Sequence, residues 1–322
     1  MKYRSLGRTG MQISEIGFGA WGIGGQWGTK DDDAAVEAIN RAMDQGVNFI
    51  DTAAGYGEGH SEQVIARAFR ERGERCYVAS KVPPKNYKWP PVPGVPVSEV
   101  YPKDWLIGAI ERSLGYLETD CIDLMQLHCW SDAFMEDMQW YEALSQLKEQ
   151  GKIRFIGVSV NDWDPYGGVN LVKTGLVDSI QVIYNIFEQR PAEKLFPAAV
   201  ERNVGIIARV PFEEGLLTGK MCAGYRFIEG DWRAKWLADG RLEEACEHVE
   251  ALRWVENDHR TMAQAALKFI LAHPAVSTVI PGMRSAKHVD ENVAVSDKVE
   301  MTAEEVERLK SHAWVHGFKY PW

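Results

Sequence analysis

The chain is poor in cysteine, with five in 322 residues, and none of them stand in a CxxC spacing. An odd set, Cys76, Cys121, Cys129, Cys222 and Cys246, argues against a disulfide framework and against a cysteine-ligated zinc site. Reduced thiols in a cytoplasmic enzyme fit best. No apolar run approaches the length that spans a bilayer, and the opening Met1-Lys2-Tyr3-Arg4-Ser5-Leu6-Gly7 lacks the apolar core of a signal peptide. Net positive charge is also missing: 36 Lys and Arg stand against 46 Asp and Glu, giving −10. Such a chain is a poor candidate for wrapping nucleic acid or binding an anionic membrane. The acidity reads as a solvated surface.

What is present is a globular composition, 45% hydrophobic and 25% charged. Apolar strand-like runs alternate with amphipathic helical ones. Strands are expected at 16–20, 48–51, 76–81, 122–128, 155–160, 179–183, 205–209 and 276–280. Helices are expected near 32–45, 61–71, 103–117, 138–150, 167–174, 192–202, 262–272 and 302–311. This alternation predicts a parallel (β/α)8 TIM barrel filling residues 1–322 as one domain. Ahead of it, two short runs around Gly7-Arg8-Thr9-Gly10 give a hairpin signal.

The chain is organised around Phe49-Ile50-Asp51-Thr52-Ala53-Ala54-Gly55-Tyr56-Gly57. An apolar strand ends at an aspartate, and a tyrosine follows between glycines. The carboxyl end of a parallel strand is where α/β enzymes place their chemistry. A free phenol titrates near ~10, so it needs help to act as an acid or base near neutrality. A lysine cation supplies that help by favouring phenolate, and a carboxylate holds the lysine charged. The next expected strand ends in Lys81, and the one after it ends in His128. Lys81 is therefore expected to lower the Tyr56 pKa.

Gly17-x-Gly19-x-x-Gly22 matches the dinucleotide fingerprint in letters. That fingerprint must open a helix directly after its strand. Here the first helix signal comes only at Asp31 to Asp33, so a glycine-rich loop on the strand-end face is the better reading. Two segments exceed ordinary loop length. Residues 83–102 carry Pro83, Pro84, Pro90, Pro91, Pro93, Pro96 and Pro102, which predicts an extended arm without helix. Residues 221–241 carry Trp232 and Trp236. His312 and His316 have helical spacing but no third ligand nearby, and read as ordinary tail residues.

The order Asp51, Tyr56, Lys81, His128 on successive strand ends resembles the aldo-keto reductase superfamily. The resemblance is carried by Phe49-Ile50-Asp51-Thr52-Ala53, Ala79-Ser80-Lys81 and Asp123-Leu124-Met125-Gln126-Leu127-His128. Gly215-Leu216-Leu217-Thr218-Gly219-Lys220 and Ile280-Pro281-Gly282 with Glu291-Asn292 agree with it. It implies a bacterial-type NAD(P)H-dependent reductase that moves hydride between nicotinamide and an aldehyde, ketone or sugar, with the hairpin plugging the barrel. Tyr56 would be general acid or base, Lys81 and Asp51 would tune it, and His128 would orient the carbonyl oxygen. Ser159 and Gln181 match positions that bind the nicotinamide carboxamide. Asn161 stands one place later than the family's asparagine, with Val160 between. Arg209, in Arg209-Val210-Pro211-Phe212, replaces an aromatic that stacks on nicotinamide. Gly215, Leu217, Lys220, Gly282, Arg284, Ser285, His288, Glu291 and Asn292 would hold the rest of the cofactor. Gly282 replaces a common lysine, and His288 a common arginine or glutamine.

A cation at Arg284 and a hydroxyl at Ser285 point to NADPH, with NADH possible; Gly282 and a mostly neutral His288 argue the other way. Trp21, Tyr56, Trp89, His128 and Trp130 are expected to line the substrate pocket. No metal is required. A regulatory cofactor-binding subunit like the potassium-channel β-subunits is the alternative. A metal-dependent barrel hydrolase is a more distant one, since only His128 is placed as its ligands would be.

Overall fold

The computed structural model describes residues 1–25, 31–92, 94–162, 164–222 and 224–318. A hairpin comes first, with β1 (Tyr3–Ser5) and β2 (Gln12–Ser14) paired antiparallel. Then follow β3 (Phe18–Gly19), α1 (Asp32–Asp44), β4 (Phe49–Asp51), α2 (His60–Arg72), β5 (Tyr77–Val82), α3 (Val97–Val100), α4 (Lys103–Tyr116) and β6 (Ile122–Leu127). The second half holds α5 (Gln139–Glu149), β7 (Ile153–Ser159), α6 (Val169–Thr174), β8 (Ser179–Ile183), α7 (Pro191–Arg202) and β9 (Gly205–Arg209). Last come α8 (Arg233–Trp236), α9 (Arg241–Glu250), α10 (Met262–Ala272), β10 (Val276–Val279), α11 (Ala286–Val293) and α12 (Ala303–Lys310).

The eight strands β3 to β10 pair in sequence order, all parallel. Parallel bridges Ile16–Val279 and Gly19–Gly282 join the first strand to the last and close the (β/α)8 ring. Both sheet faces are covered, so a strand such as β6 is buried at every residue and reads as a continuous run. The seam explains the misleading glycines. A Cβ on Gly19 would sit 2.7 Å from the Ile280 carbonyl oxygen. Gly22 lies in a short 3₁₀ turn, and α1 starts at Asp32, with Asp31 accepting from the Ala34 N–H at 3.0 Å.

The hairpin plugs the amino-terminal end of the ring. Leu6, Met11 and Ile13 pack inside it against Phe49, Ala79, Leu124, Ile207 and Ile280. A larger apolar layer fills the space between strands and helices. Four helices, α3, α8, α9 and α11, lie outside those expected. The arm at 83–102 contains α3, because Pro96 and Pro102 precede helices at Val97 and Lys103 and do not interrupt them. The arm is also not separable from the barrel, since Val97, Val100 and Tyr101 are buried. The sequence reading also omitted α9, whose Leu242, Ala245, Cys246 and Val249 form one buried stripe.

Candidate active site

Register alone brings the first residues together. β4 pairs with β5 through Asp51–Ala79, and β5 with β6 through Lys81–Gln126. Lys81 is fully buried, and its three ammonium protons each meet an oxygen: Asp51 Oδ1 at 2.5 Å, the Thr52 carbonyl at 2.8 Å and Tyr56 Oη at 3.3 Å. The second Asp51 oxygen accepts from Gln181 Nε2 at 2.7 Å and Gln126 Nε2 at 3.3 Å. The carboxylate and the ammonium are thus both saturated, as a buried charge pair requires.

Tyr56 is half-buried, and its ring meets His128 edge-on at 5.7 Å between centroids. Trp89 lies against the same imidazole at 5.7 Å, with its indole N–H donating to the His128 carbonyl at 3.2 Å. The arm therefore delivers Trp89 to this cluster. Trp21, in the turn after β3, meets Trp232 edge-on at 6.2 Å.

Lys81 lowers the Tyr56 pKa, as expected, but does not set its net direction. The Tyr56 phenol lies above its ordinary range, because burial raises it more than the Lys81 cation lowers it. Lys81 is the counterweight and not the winner. Burial alone would lower Lys81, but Asp51 and Tyr56 together hold it above its ordinary value, hence charged. Burial, then Lys81 and Arg209, push His128 well below the usual imidazole range. It is neutral at pH 7, with one N–H to give. Its Nδ1 is buried and meets no hydrogen-bond partner among the described residues.

Ser159 and Gln181 are register partners of β7 and β8, both buried, and Gln181 donates to Asp51. Asn161 is otherwise engaged. Its Oδ1 accepts from the Trp130 N–H at 3.2 Å and its Nδ2 donates to the Trp130 carbonyl at 2.6 Å. Arg209 donates to the Val160 carbonyl at 2.9 Å and to Asp162 at 2.6 Å, which ties its guanidinium to the end of β7. Trp130 is corrected from pocket wall to core. It is 1% exposed, packs on Phe134 and Trp140, and donates its indole N–H to Asp132. The Leu217 and Pro211 side chains are likewise buried, whereas Gly215 takes a left-handed φ of 100° and Lys220 is exposed.

At the last strand, Ser285 caps α11 by accepting from the His288 N–H at 3.4 Å. Gly282 has open space where a Cβ would stand. Asn292 is buried, with its amide donating to the Gly282 carbonyl at 3.5 Å, and Glu291 faces Lys287 at 3.8 Å. Burial, then Lys220 and Arg284, lower His288. Three basic groups thus converge at the start of α11, a donor set suited to a phosphate. Sequence reasoning missed Thr52, Gln126 and Asp162, whose parts are set by the barrel register and the β7 end. It also missed Asn185 and Glu213, whose part depends on long-range contacts.

A buried ammonium bridges a carboxylate and a phenol beside a neutral imidazole at the carboxyl ends of barrel strands, an arrangement chemically able to pass a proton to or from an oxygen. The chain belongs to the Aldo/keto reductase family, whose profile matches residues 15–313. It is an NAD(P)-dependent oxidoreductase. Aldo-keto reductase YhdN of Bacillus subtilis is 32% identical over 88% of this chain and 85% of its own. The NADH-specific methylglyoxal reductase of Escherichia coli is 30% identical over 91% and 93%. Among solved structures, glycerol dehydrogenase AKR11B4 from Gluconobacter oxydans superposes with a TM-score of 0.79 at 27% identity, covering 97% of this chain and 94% of that one. No helix among the described residues is long and apolar enough to cross a membrane.

Proposed function

We propose that this chain interconverts a small aldehyde, ketone or sugar carbonyl and its alcohol, with Tyr56 as the proton donor in reduction. The observation that carries this reading is Lys81 Nζ, 2.5 Å from Asp51 and 3.3 Å from Tyr56 Oη in a buried site. When bound, the nicotinamide supplies hydride to the carbonyl carbon or takes it from the alcohol carbon. Tyr56 gives its proton to the carbonyl oxygen. The phenol is protonated at neutral pH, as an acid must be; burial raises its pKa further and Lys81 opposes that rise. Asp51 keeps Lys81 charged and aimed. Neutral His128 donates one N–H to the same oxygen, a hydrogen bond that strengthens as negative charge develops there. In oxidation the roles reverse, with Tyr56 as base. Trp21 and Trp89 would flank the substrate beside Tyr56 and His128.

Ser159 and Gln181 would hold the nicotinamide amide. Lys220, Arg284, Ser285 and His288 would meet the adenosine phosphate, with Glu291 and Asn292 at the adenine or ribose, so NADPH is preferred over NADH. A panel of aldehydes, ketones and sugars, assayed with both cofactors in both directions, tests the reading. Turnover with at least one is expected, and none with either cofactor would contradict it. Arg284→Ala should weaken NADPH by about 1.5–3 kcal/mol, as for a hydrogen bond to a charged group, and leave NADH nearly unchanged. Equal losses would show that Arg284 does not read the phosphate.

A further inference from the structure

The backbone leaving β9 has a shape that its residues do not favour by themselves. Val210 has φ 54°, Glu213 has φ 44° and Glu214 has φ 53°, all left-handed and none of them glycine. For a β-branched residue such as Val210 this conformation is a genuine outlier. Strained backbone of this kind persists only where the surroundings over-determine it, and it gathers at sites that grip ligands.

The surroundings here come from three distant parts of the chain. Asn185, just past β8 and fully buried, donates to Glu213 Oε2 at 2.6 Å and to the Val210 carbonyl at 2.9 Å. Its own Oδ1 is fixed by the Phe187 and Glu188 N–H groups, each at 2.9 Å. From the loop carrying α8, Arg233 donates to the Glu214 carbonyl at 3.0 Å. The third part lies past α12, where His316 Nε2 meets Glu213 Oε1 at 2.9 Å with both side chains nearly inaccessible. His316 Nδ1 accepts from the Phe318 N–H at 3.3 Å, so one neutral tautomer, protonated on Nε2, satisfies both contacts. Trp314 anchors that segment by donating its N–H to the Phe187 carbonyl at 2.9 Å and stacking on His248 at 4.0 Å.

We propose that His316 and Glu213 form a latch. Through it the segment 312–318 holds the 210–219 loop in its strained shape, and so sets how long the cofactor stays bound. Glu213, His316 and Asn185 are positioning residues that touch neither the cofactor nor the reacting atoms. The proposal rests on the reading above, in which Gly215, Leu217 and Lys220 belong to the cofactor site.

Its test is the release rate and Kd of NADPH, followed by stopped-flow fluorescence, in the parent, His316→Ala, His316→Gln and Glu213→Gln. His316→Ala should raise the release rate and Kd on the order of 10-fold, the worth of one hydrogen bond to a charged group. At saturating cofactor its kcat should stay within a few-fold of the parent's. His316→Gln retains an N–H for Glu213 and should restore most of the retention. Release rates that stay at the parent value in His316→Ala and Glu213→Gln, even with a lowered Tm, would overturn the latch and leave a purely structural tie. If His316→Ala does not fold, Glu213→Gln against the parent decides alone. A parent that binds neither NADPH nor NADH would instead overturn the functional reading beneath it.

Discussion

At the β4 to β6 strand ends, Asp51 and Lys81 are 2% and 0% exposed and are placed by hydrogen-bonded register. Around the start of α11, Lys220 and Arg284 are exposed and stand on loops, and His288, which both of them influence, is only half-buried. The first region is a closed polar network in which every proton of the ammonium is used. The second is an open cationic surface at the solvent boundary. The closed region holds charge in a low-dielectric surrounding, where each interaction is large and each unpaired group costly. In the proposed reading the open region would meet the cofactor phosphate through contacts that salt screens. One expects chemistry to fail abruptly when the first is altered, and affinity to change gradually when the second is.

The largest break in this contrast is Tyr56→Phe. It keeps the ring and removes the transferable proton, so turnover should fall on the order of 10²-fold or more while NADPH titration by fluorescence gives the parent's Kd. Turnover within a few-fold of the parent would remove Tyr56 from the chemistry. Asp51→Leu attacks the same network through stability. Leaving the Lys81 ammonium buried and unpaired should cost about 3–5 kcal/mol in urea unfolding. A loss near that for an exposed ion pair would mean that the site is wetter than its burial shows. The arm at 83–102 divides in the same way. Tyr101→Ala, in its buried half, should cost about 3–5 kcal/mol as a large-to-small core change. Trp89→Ala, in its half-exposed part beside His128, should move the Tm little and shift the KM for carbonyl substrates instead. The smallest expected effect is on the open region. The NADPH preference over NADH should narrow as ionic strength rises, because exposed charges are screened within a Debye length of ~8 Å at physiological salt. A preference indifferent to salt would point to buried contacts as its source.

The same contrast sorts what was legible in the sequence. Asp51, Lys81 and His128 could be placed because strand ends are marked by the end of an apolar run, and adjacent strands in sequence are adjacent in a parallel barrel. All eight barrel strands are found within about two residues of where they were expected, since buried parallel strands give continuous apolar runs. The first is shorter, reduced to Phe18–Gly19 at the seam. Residues fixed by side-chain networks were not legible. Nothing near Glu213 in sequence announces Asn185 or His316, 28 and 103 residues away. Trp130 was misplaced for the same reason, since an aromatic after a strand end can turn to the pocket or to the core. The sign of the Tyr56 shift also needed structure. A neighbouring lysine can be inferred from order, but the desolvation that outweighs it cannot.

The central claim is that Lys81 holds down the pKa of a phenol that burial has raised. The measurement that tests it most directly is the pH dependence of kcat/KM for carbonyl reduction in the parent and in Lys81→Met. In the proposed reduction Tyr56 gives its proton, so activity should fall as pH rises through the Tyr56 pKa. Without the cation the phenol becomes a weaker acid still. The alkaline limb of the residual activity should then move to higher pH, or leave the accessible range. A limb that stays in place, or moves to lower pH, would contradict the claim.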